Sequence, residues 1–406
     1  MKYKKIVRIA IILTGTLVFM WGVPALVQLA TSSPQKYPFV YYSSVIEEFC
    51  FRETEGKNAI KRDASGRLYN DAQFDSIMPM LYYRQLSVNG KMPDSIQGRA
   101  VTMPEIRQKS FTYRYNCEEL STPSMDLYIM YESMPKRVNI ESPGDVFRMK
   151  DNIEFVDVES NRVNKEKSLL FATELDKRRY TFPAQWLQGL MTNRKPYDEG
   201  YFSLDATGQL FHIKMVNDRP FIRNTHVSDS MDVVYFSMLP VSDKRFYGFL
   251  YDSEGYIYIL ESPTYQPRKV DIPPVNLHED RIMIMANMFF WTVYVNTPEG
   301  RYYYALDNDS LQRVDQTFIA AQPGLWDKTA AWLFPVYLTF EDRDSKYLNP
   351  EFHFTSWIAF IMNILAALLF FIFARKKRKC LYLQSGYVLL TGIAGLLSVL
   401  IIPDNK

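Results

Sequence analysis

The sequence predicts a mainly-β protein in which a β-propeller-like domain is attached to apolar helices. Three observations support this fold class. Aromatic residues make up 15% of the chain, with 28 Tyr and 27 Phe against 17 Gly, and large rings pack well on the pleated surface of a sheet. A four-residue turn motif recurs at regular spacing, and three long apolar runs flank the region that contains it.

The turn motif is an Asp, two further residues and a Gly, followed by large apolar side chains. It occurs in RDASGRLYN (62–70), LDATGQLFHI (204–213) and YDSEGYIYIL (251–260), and in NTPEGRYYYAL (296–306) with Thr297 in place of Asp. The motif positions are Asp63 and Gly66, Asp205 and Gly208, Asp252 and Gly255, and Gly300 in the fourth copy. Asp accepts backbone N–H groups in turns and Gly adopts positive φ without steric cost. Each copy therefore predicts a β-hairpin.

The spacing of the copies indicates a repeated unit. Gly208 and Gly255 lie 47 residues apart, Gly255 and Gly300 lie 45 apart, and Gly66 precedes Gly208 by 142, close to three such intervals. A period of about 40 to 50 residues with several strands per unit is typical of propeller blades, of which the region could hold about six or seven. A pair of β-sandwiches is the alternative, and the sequence does not determine the number of blades.

Less regular segments lie around these copies. Strands without the motif are predicted at 111–116, 126–133 and 153–171, and a short helix is predicted at 76–90, where Asn-Gly ends the apolar pattern. The segment 182–200 combines a helical turn with a polar loop.

The three apolar runs, 9–29, 357–374 and 381–402, have about the length that spans a bilayer. Basic residues beside a span stay on the cytoplasmic side, and here they precede the first run (Lys2, Lys4, Lys5, Arg8) and lie between the last two at 375–379. We therefore expect a cytoplasmic N-terminus with an anchor (1–30), an extracytoplasmic domain (31–352) and a helical hairpin (353–406). Its turn at 375–380 is expected in the cytoplasm and the extreme C-terminus outside. Because Gln28 makes a poor cleavage site, an uncleaved anchor is expected rather than a signal peptide.

Charge limits the class of partner. The segment 31–352 carries 37 basic and 44 acidic residues, which argues against nucleic acid because nucleic-acid binding needs a basic surface. Cys50 and Cys117 both face the oxidising side in this topology, so a disulfide between them is an open expectation.

No catalytic, cofactor or metal motif occurs in the sequence. The four histidines share no ligand spacing, and phosphate-binding loops and a Gly-x-Ser-x-Gly elbow are absent. His212 is expected to face solvent or a neighbouring blade. Carboxylates at 197–200 and 340–344 leave glycan hydrolysis open, because that reaction needs two of them across a cleft. The sequence thus favours a protein that is not an enzyme and has no cofactor.

Two segments are candidates for contact with a partner or ligand. Arg194, Lys195, Tyr197, Asp198 and Glu199 combine both charges with an aromatic ring, which suits a polar contact. The alternative is a blade connection held by local ion pairs. Trp326 and Trp332, in the aromatic segment 323–340, fit a membrane interface or a partner, or the closing strand of the last blade.

The segments 182–224, 246–261 and 326–342 resemble an uncharacterised family of bacterial cytoplasmic-membrane proteins, a domain of unknown function. The resemblance covers nearly the whole chain and assigns no catalytic or binding residue. It implies an envelope protein of the bacterial cytoplasmic (inner) membrane with a periplasmic domain, encoded beside ABC-type transporter subunits.

Together these features predict a non-enzymatic accessory or sensory subunit that binds a ligand or partner outside the membrane. Its helices are expected to dock on another membrane protein such as an ABC-type permease. The alternatives are an envelope protein that binds or hydrolyses glycans and a purely structural envelope component.

Overall fold

The computed structural model describes residues 2–33, 35–55, 58–121, 126–137, 139–340, 350–374 and 381–402. The chain divides into two units, which we call the β unit (Tyr37–Ile319) and the helical unit (Met1–Lys36 with Ala320–Lys406). The predicted cytoplasmic turn at 375–380 and the last four residues lie outside the described residues.

The helices in chain order are α1 (Lys2–Thr31), α2 (Asp71–Ile77), α3 (Pro79–Val88), α4 (Met103–Lys109), α5 (Glu118–Ser121), α6 (Lys165–Lys177), α7 (Leu325–Leu333), α8 (Ala359–Ala374) and α9 (Leu381–Ile401). The strands of the first half are β1 (Phe39–Tyr42), β2 (Phe49–Glu55), β3 (Asn58–Asp63), β4 (Ser95–Ile96), β5 (Arg99–Ala100), β6 (Phe111–Tyr115), β7 (Asp145–Met149), β8 (Ile153–Asp157), β9 (Arg162–Val163), β10 (Trp186–Gly189) and β11 (Tyr201–Leu204). Those of the second half are β12 (Leu210–Val216), β13 (Arg219–Asn224), β14 (Val233–Met238), β15 (Phe246–Asp252), β16 (Ile257–Glu261), β17 (Pro267–Lys269), β18 (Arg281–Ala286), β19 (Phe290–Thr297), β20 (Gly300–Asp307), β21 (Arg313–Ala320), β22 (Val336–Thr339) and β23 (Glu351–Phe354).

Antiparallel sheets form the β unit. We number its larger sheets I (β1–β3), II (β7–β9), III (β10–β13), IV (β14–β17) and V (β18–β21, with β6 beside β18). In sheets III to V, four consecutive strands pair with their chain neighbours, as in a propeller blade. The prediction of a mainly-β fold is therefore confirmed.

The sheets pack face to face in the order II, III, IV, V, I. One ring pair from each interface shows this order: Phe147–Tyr201, Phe202–Phe236, Phe249–Trp291 and Phe290–Tyr42, with centroids 5.3, 4.5, 6.1 and 4.9 Å apart. The first sheet of the chain thus packs on the last sheet of the β unit. Among the described residues, no apolar cluster joins sheet I to sheet II, so a closed propeller is not shown.

Sheets III to V are covered on both faces. Because the side chains of a strand alternate between its two sides, each of these sheets contributes to two apolar cores. In β11, Tyr201 belongs to the core shared with sheet II and Phe202 to the core shared with sheet IV. In β19, Trp291 belongs to the core shared with sheet IV and Tyr294 to that shared with sheet I. Strands of this kind are buried along most of their length, and β15 is buried at every position. A pair of sandwiches would leave one face of each sheet in water.

The turn motif occupies equivalent places in successive sheets. The turns Asp205–Gly208 and Asp252–Gly255 join the second and third strands of sheets III and IV, and Thr297–Gly300 does so in sheet V. The Asp63–Gly66 turn instead follows β3 and leads to a bridge that pairs back with it.

In the three turns that begin with Asp, the carboxylate accepts backbone N–H groups. Asp252 Oδ1 accepts the N–H groups of Glu254 and Tyr256 at 3.1 and 2.8 Å, and its Oδ2 accepts the Tyr258 hydroxyl at 3.0 Å. Asp63 and Asp205 accept the corresponding N–H four residues on. The glycines of the three Asp turns have φ of +89°, +79° and +85°, a region that favours glycine.

Two of these glycines provide a matched test of the turn. A β-carbon at Gly208 would meet nothing within 4 Å, whereas one at Gly255 would overlap the Val275 carbonyl oxygen. Gly208→Ala is expected to cost about 1 kcal/mol, from the left-handed backbone alone. Gly255→Ala should cost about 2–3 kcal/mol, because the turn must also move away from Val275. Chemical denaturation of both variants measures the difference, and equal costs would contradict this packing.

One local prediction is confirmed and others need correction. The helix predicted at 76–90 is α3, which begins at Pro79 and ends before Asn89. The predicted strand at 153–171 is wrong in its second half: Asn164 caps the N-terminus of α6 by accepting the Lys167 N–H. In 182–200 the structure has β10 where a helical turn was predicted.

The strand predicted at 126–133 is reduced to isolated bridges at Tyr128 and Glu132. The segment 323–340 does not close a blade, because it forms α7 and then β22, which pairs with β23.

The helical unit contains the apolar runs. Within the described residues, two helices are long and apolar enough to cross a membrane, Ile6–Thr31 and Leu381–Ile401, whereas α8 has 16 residues. Three spans are therefore not shown. Asn363 of α8 is fully buried and donates from Nδ2 to the Leu389 carbonyl of α9 at 3.2 Å.

The helix α9 is interrupted at Gly392, where φ is +62° and ψ is −140°. The crossing predicted for 381–402 therefore has the length and apolar composition of a span, but its helix is not continuous. The Ala359–Ala374 helix and the interrupted α9 pack against each other around Phe370 and Val388.

Candidate functional site

The loop between β10 and β11 contains the predicted contact residues, and its centre is a buried ion pair. Lys195 Nζ pairs with Asp198 Oδ1, and the two side chains are only 2% and 1% exposed. Lys195 Nζ also donates to the Leu190 carbonyl at 2.7 Å and lies 4.4 Å from the centroid of the Tyr131 ring. These contacts satisfy the ammonium group within the protein.

Asp198 also fixes a second segment of the chain. Its Oδ2 accepts the Ser133 hydroxyl at 2.6 Å and the Gly200 N–H at 2.9 Å. The segment around Ser133 has little regular structure of its own, so this carboxylate connects it to sheet III. A buried charge with these partners holds one arrangement of the loop, because any displacement leaves it unsatisfied.

Tyr197 connects the same loop to sheet IV by a hydrogen bond. Its hydroxyl donates to the Val241 carbonyl at 2.7 Å, and Lys244 Nζ lies 4.4 Å from the ring centroid. Burial raises the pKa of Tyr197, so the phenol stays protonated and remains a donor.

Glu199 connects the loop to a buried histidine. Its Oε2 accepts from Lys214 Nζ at 2.6 Å, and its backbone carbonyl is 2.6 Å from His212 Nε2. His212 Nδ1 is 2.8 Å from the Tyr265 hydroxyl of sheet IV, and the imidazole stacks on Phe202 with centroids 4.4 Å apart. His212 therefore faces the neighbouring sheet, one of the two environments that the sequence suggested, and solvent does not reach it.

Burial lowers the pKa of His212 to about 3, with a further contribution from the positive charge of Lys214. The imidazole is therefore neutral at physiological pH. Both ring nitrogens already have partners, so His212 is not positioned to bind a metal ion. Among the described residues, no group of three or more His, Cys, Asp or Glu side chains could hold one.

Of the predicted contact residues in this loop, Arg194 is the one on the surface, while Lys195 and Asp198 are buried and Tyr197 and Glu199 are partly buried. The geometry is that of a blade connection held by ion pairs, the alternative that the sequence left open. Ser133 and Tyr131 were missed, because they carry no motif and lie more than 60 residues before Asp198 and Lys195, the residues that they contact.

The two predicted tryptophans lie in the helical unit. Trp326 packs beside Phe334 and Tyr337, with centroids 6.3 and 5.6 Å away. Trp332, also in α7, is 55% exposed. Of the two, Trp332 is thus the one with more surface available for contact.

The predicted disulfide is not present. Cys50 lies in β2 within the core between sheets V and I, and Cys117 follows β6 with its thiol 3.6 Å from Glu118 Oε2. Both cysteines are buried thiols. Cys50 belongs to the core between sheets V and I. Cys117 follows β6, whose Tyr113 and Tyr115 belong to the core on the opposite face of sheet V.

The carboxylates considered for glycan hydrolysis have structural partners where the structure describes them. Asp198 and Glu199 are engaged by Lys195 and Lys214. Burial raises the pKa of Asp280, but its carboxylate closes a turn by accepting the Asn276 N–H at 2.8 Å. The second carboxylate group, Glu341, Asp342 and Asp344, lies outside the described residues.

The fold and this loop define a multi-sheet β protein with blade-like sheets and separate apolar helices. A family model for a domain of unknown function, DUF4857, matches residues 39–306. The chain belongs to this family.

Comparison with solved structures finds matches at low similarity, one of which is a β-propeller domain. PorZ, a bacterial surface component of the type-IX secretion system of Porphyromonas gingivalis, is 10% identical with a TM-score of 0.21; the match covers 72% of this chain and 33% of PorZ. Apo AztD from Citrobacter koseri is 11% identical with a TM-score of 0.27, over 72% of this chain and 73% of AztD. The β-propeller domain of Cps50 (Swd1) from Myceliophteria thermophila is 6% identical with a TM-score of 0.22, over 72% and 90%. This chain thus spans about a third of the length of PorZ. No curated protein matches it.

Proposed function

We propose that the chain is a non-enzymatic integral protein of the bacterial cytoplasmic membrane that serves as an accessory or sensory subunit of an ABC-type transport complex. Residues 31–352 lie outside and bind a ligand or partner, while the N-terminus and 375–380 lie in the cytoplasm. The helical unit docks on a permease.

The observation that carries the proposal is the inverted polarity of the helical unit. Asn363 and Ser398 are buried at 0% and 1% exposure, while Leu368 and Leu390 are 55% and 75% exposed. A helix bundle in water would expose its amides and hydroxyls and bury its leucines. Polar groups inside and leucines outside suit a hydrocarbon solvent, in which unpaired polar groups are costly.

A groove between α8 and α9 is the proposed docking surface. It has a volume of about 550 Å³ and is lined by apolar side chains, including Met362, Leu369, Phe373 and Leu396. In a bilayer, close packing is a main driving force for helix association. A transmembrane helix of the permease can fill this groove with its own side chains.

Co-purification of the tagged full-length protein from detergent tests this proposal. A permease or ATPase subunit should be captured by the full chain and lost from a version without residues 353–406. Leu369→Trp, which fills the groove, should reduce capture, whereas Leu390→Trp, on exposed helix surface, should not. If no partner is captured by the full chain, the docking proposal is wrong, and glycan binding by the β unit becomes the next hypothesis to measure.

A further inference from the structure

The chain reverses direction inside α9, and the contacts of its two arms show it. We call Leu381–Thr391 the first arm and Ile393–Ile401 the second arm. The Tyr387 hydroxyl of the first arm donates to Thr16 Oγ1 of α1 at 2.7 Å. In the second arm, Ser398 Oγ lies 3.2 Å from where a β-carbon of Gly15 would stand.

These two contacts are incompatible with a straight helix. Tyr387 and Ser398 are eleven positions apart, which in a continuous α-helix means about 16 Å along the axis. Their partners, Thr16 and Gly15, are adjacent residues of α1. Both arms therefore lie at the same level of α1, and a β-carbon at Gly395 would stand only 3.2 Å from Tyr387 Cε1.

The contacts of α8 agree with a reversal. Asn363, near the start of α8, reaches the Leu389 carbonyl beside the break. At the other end of α8, Phe373 and Ala374 line the same groove as Leu400. A continuous α9 would carry Leu400 about 12 Å beyond Gly392, away from that end of α8.

The residues at the turn explain the break. Gly392 has a backbone conformation that other residues adopt only with strain, and a β-carbon there would overlap Asn363 Oδ1. The Asn363 amide replaces part of the hydrogen bonding that the break removes, by donating to the Leu389 carbonyl. Irregular backbone at membrane depth requires burial in protein of this kind.

We propose that α9 is a re-entrant helical hairpin, which enters the membrane from the cytoplasmic side, turns at Gly392 and returns to the same side. Each arm is about 14–16 Å long, half of the hydrocarbon thickness. The second arm then ends on the cytoplasmic side, and not outside as the sequence predicted for the C-terminus. This inference rests on the proposed membrane location of the helical unit.

Reporter fusions to the C-terminus of the full-length chain test the reversal. Green fluorescent protein fused there should fluoresce, and alkaline phosphatase fused there should be inactive, since the first matures in the cytoplasm and the second outside. An active phosphatase fusion would overturn the hairpin. Extraction of the membranes at alkaline pH distinguishes a failure of the hairpin from a failure of the membrane location. If alkali releases the protein, the membrane location is wrong. If the protein is retained and the phosphatase fusion is active, only the hairpin is wrong.

Substitutions at the turn give a second, independent readout. Gly392→Leu removes the glycine conformation, and Gly386→Leu, in the first arm where a β-carbon meets nothing within 4 Å, is the matched control. Gly392→Leu should lower the fluorescence of the C-terminal fusion relative to an N-terminal fusion at least several-fold, and Gly386→Leu should leave it unchanged. Equal fluorescence of the two variants would contradict a hairpin that depends on Gly392.

Discussion

Replacing Asp198 with alanine is expected to lower the free energy of unfolding of the β unit by about 3–5 kcal/mol, the cost of leaving a buried charge without its partner. Lys195 would remain inside the protein with its ammonium group facing a cavity. The Ser133 hydroxyl and the Gly200 N–H would lose their acceptor as well. Chemical denaturation of the full-length protein in detergent measures the change.

Two further variants test whether the buried charge of Lys195 causes the loss of stability in Asp198→Ala. Arg194→Ala changes an exposed cation of the same loop and should shift the free energy of unfolding by less than about 0.5 kcal/mol. Adding Lys195→Met to Asp198→Ala should recover part of the loss, because no uncompensated charge is then buried. If Asp198→Ala costs less than about 1 kcal/mol, the buried ion pair does not hold the loop in place.

The second large effect is a dependence of stability on pH that originates at His212. The unfolded chain binds a proton at this histidine below about pH 6.5, whereas the folded chain does so only near its pKa of about 3. Its stabilising contribution is therefore complete above pH 6.5 and is lost as the pH falls toward 3. Between those values the free energy of unfolding should fall by about 1.4 kcal/mol per pH unit.

The measurement compares full-length protein with two histidine variants between pH 7.5 and 5.5, above the range where most carboxylates titrate. Glu199, Lys214, Arg223 and Tyr265 are charged or titratable side chains that face His212. His212→Gln should lose the slope, although it also loses stability at every pH. His226→Gln, at an exposed histidine, should keep the slope of the unchanged protein. If the slope persists in His212→Gln, other titratable groups cause the dependence of stability on pH.

Local chemistry explains why the sequence predicted the sheets well. Asp252 and Gly255 define a turn by hydrogen bonds within five residues, so their pattern is readable without the fold. The same holds for α6, whose Asn164 cap and buried Phe171 and Leu175 follow helical spacing. That signal was present in the sequence, but the apolar run was interpreted as another strand.

Long-range contacts explain what the sequence could not show. The partner of Asp198 is Ser133, 65 residues away, and no motif connects them. The packing of sheet I on sheet V joins the first and last strands of the β unit, which periodicity does not reveal. Gly392 was read as part of an apolar span, because its backbone conformation depends on Asn363 in another helix.

The most direct test of the membrane topology is the accessibility of a cysteine placed in the Asp252–Gly255 turn. Ser253 is exposed there, and Ser253→Cys is nearly isosteric. The native Cys50 and Cys117 are buried, and Cys380 is replaced by serine to remove the third thiol. In intact spheroplasts, a membrane-impermeant maleimide should label Ser253→Cys to the same extent before and after permeabilisation. Labelling only after permeabilisation would place the β unit in the cytoplasm and contradict its proposed extracytoplasmic position.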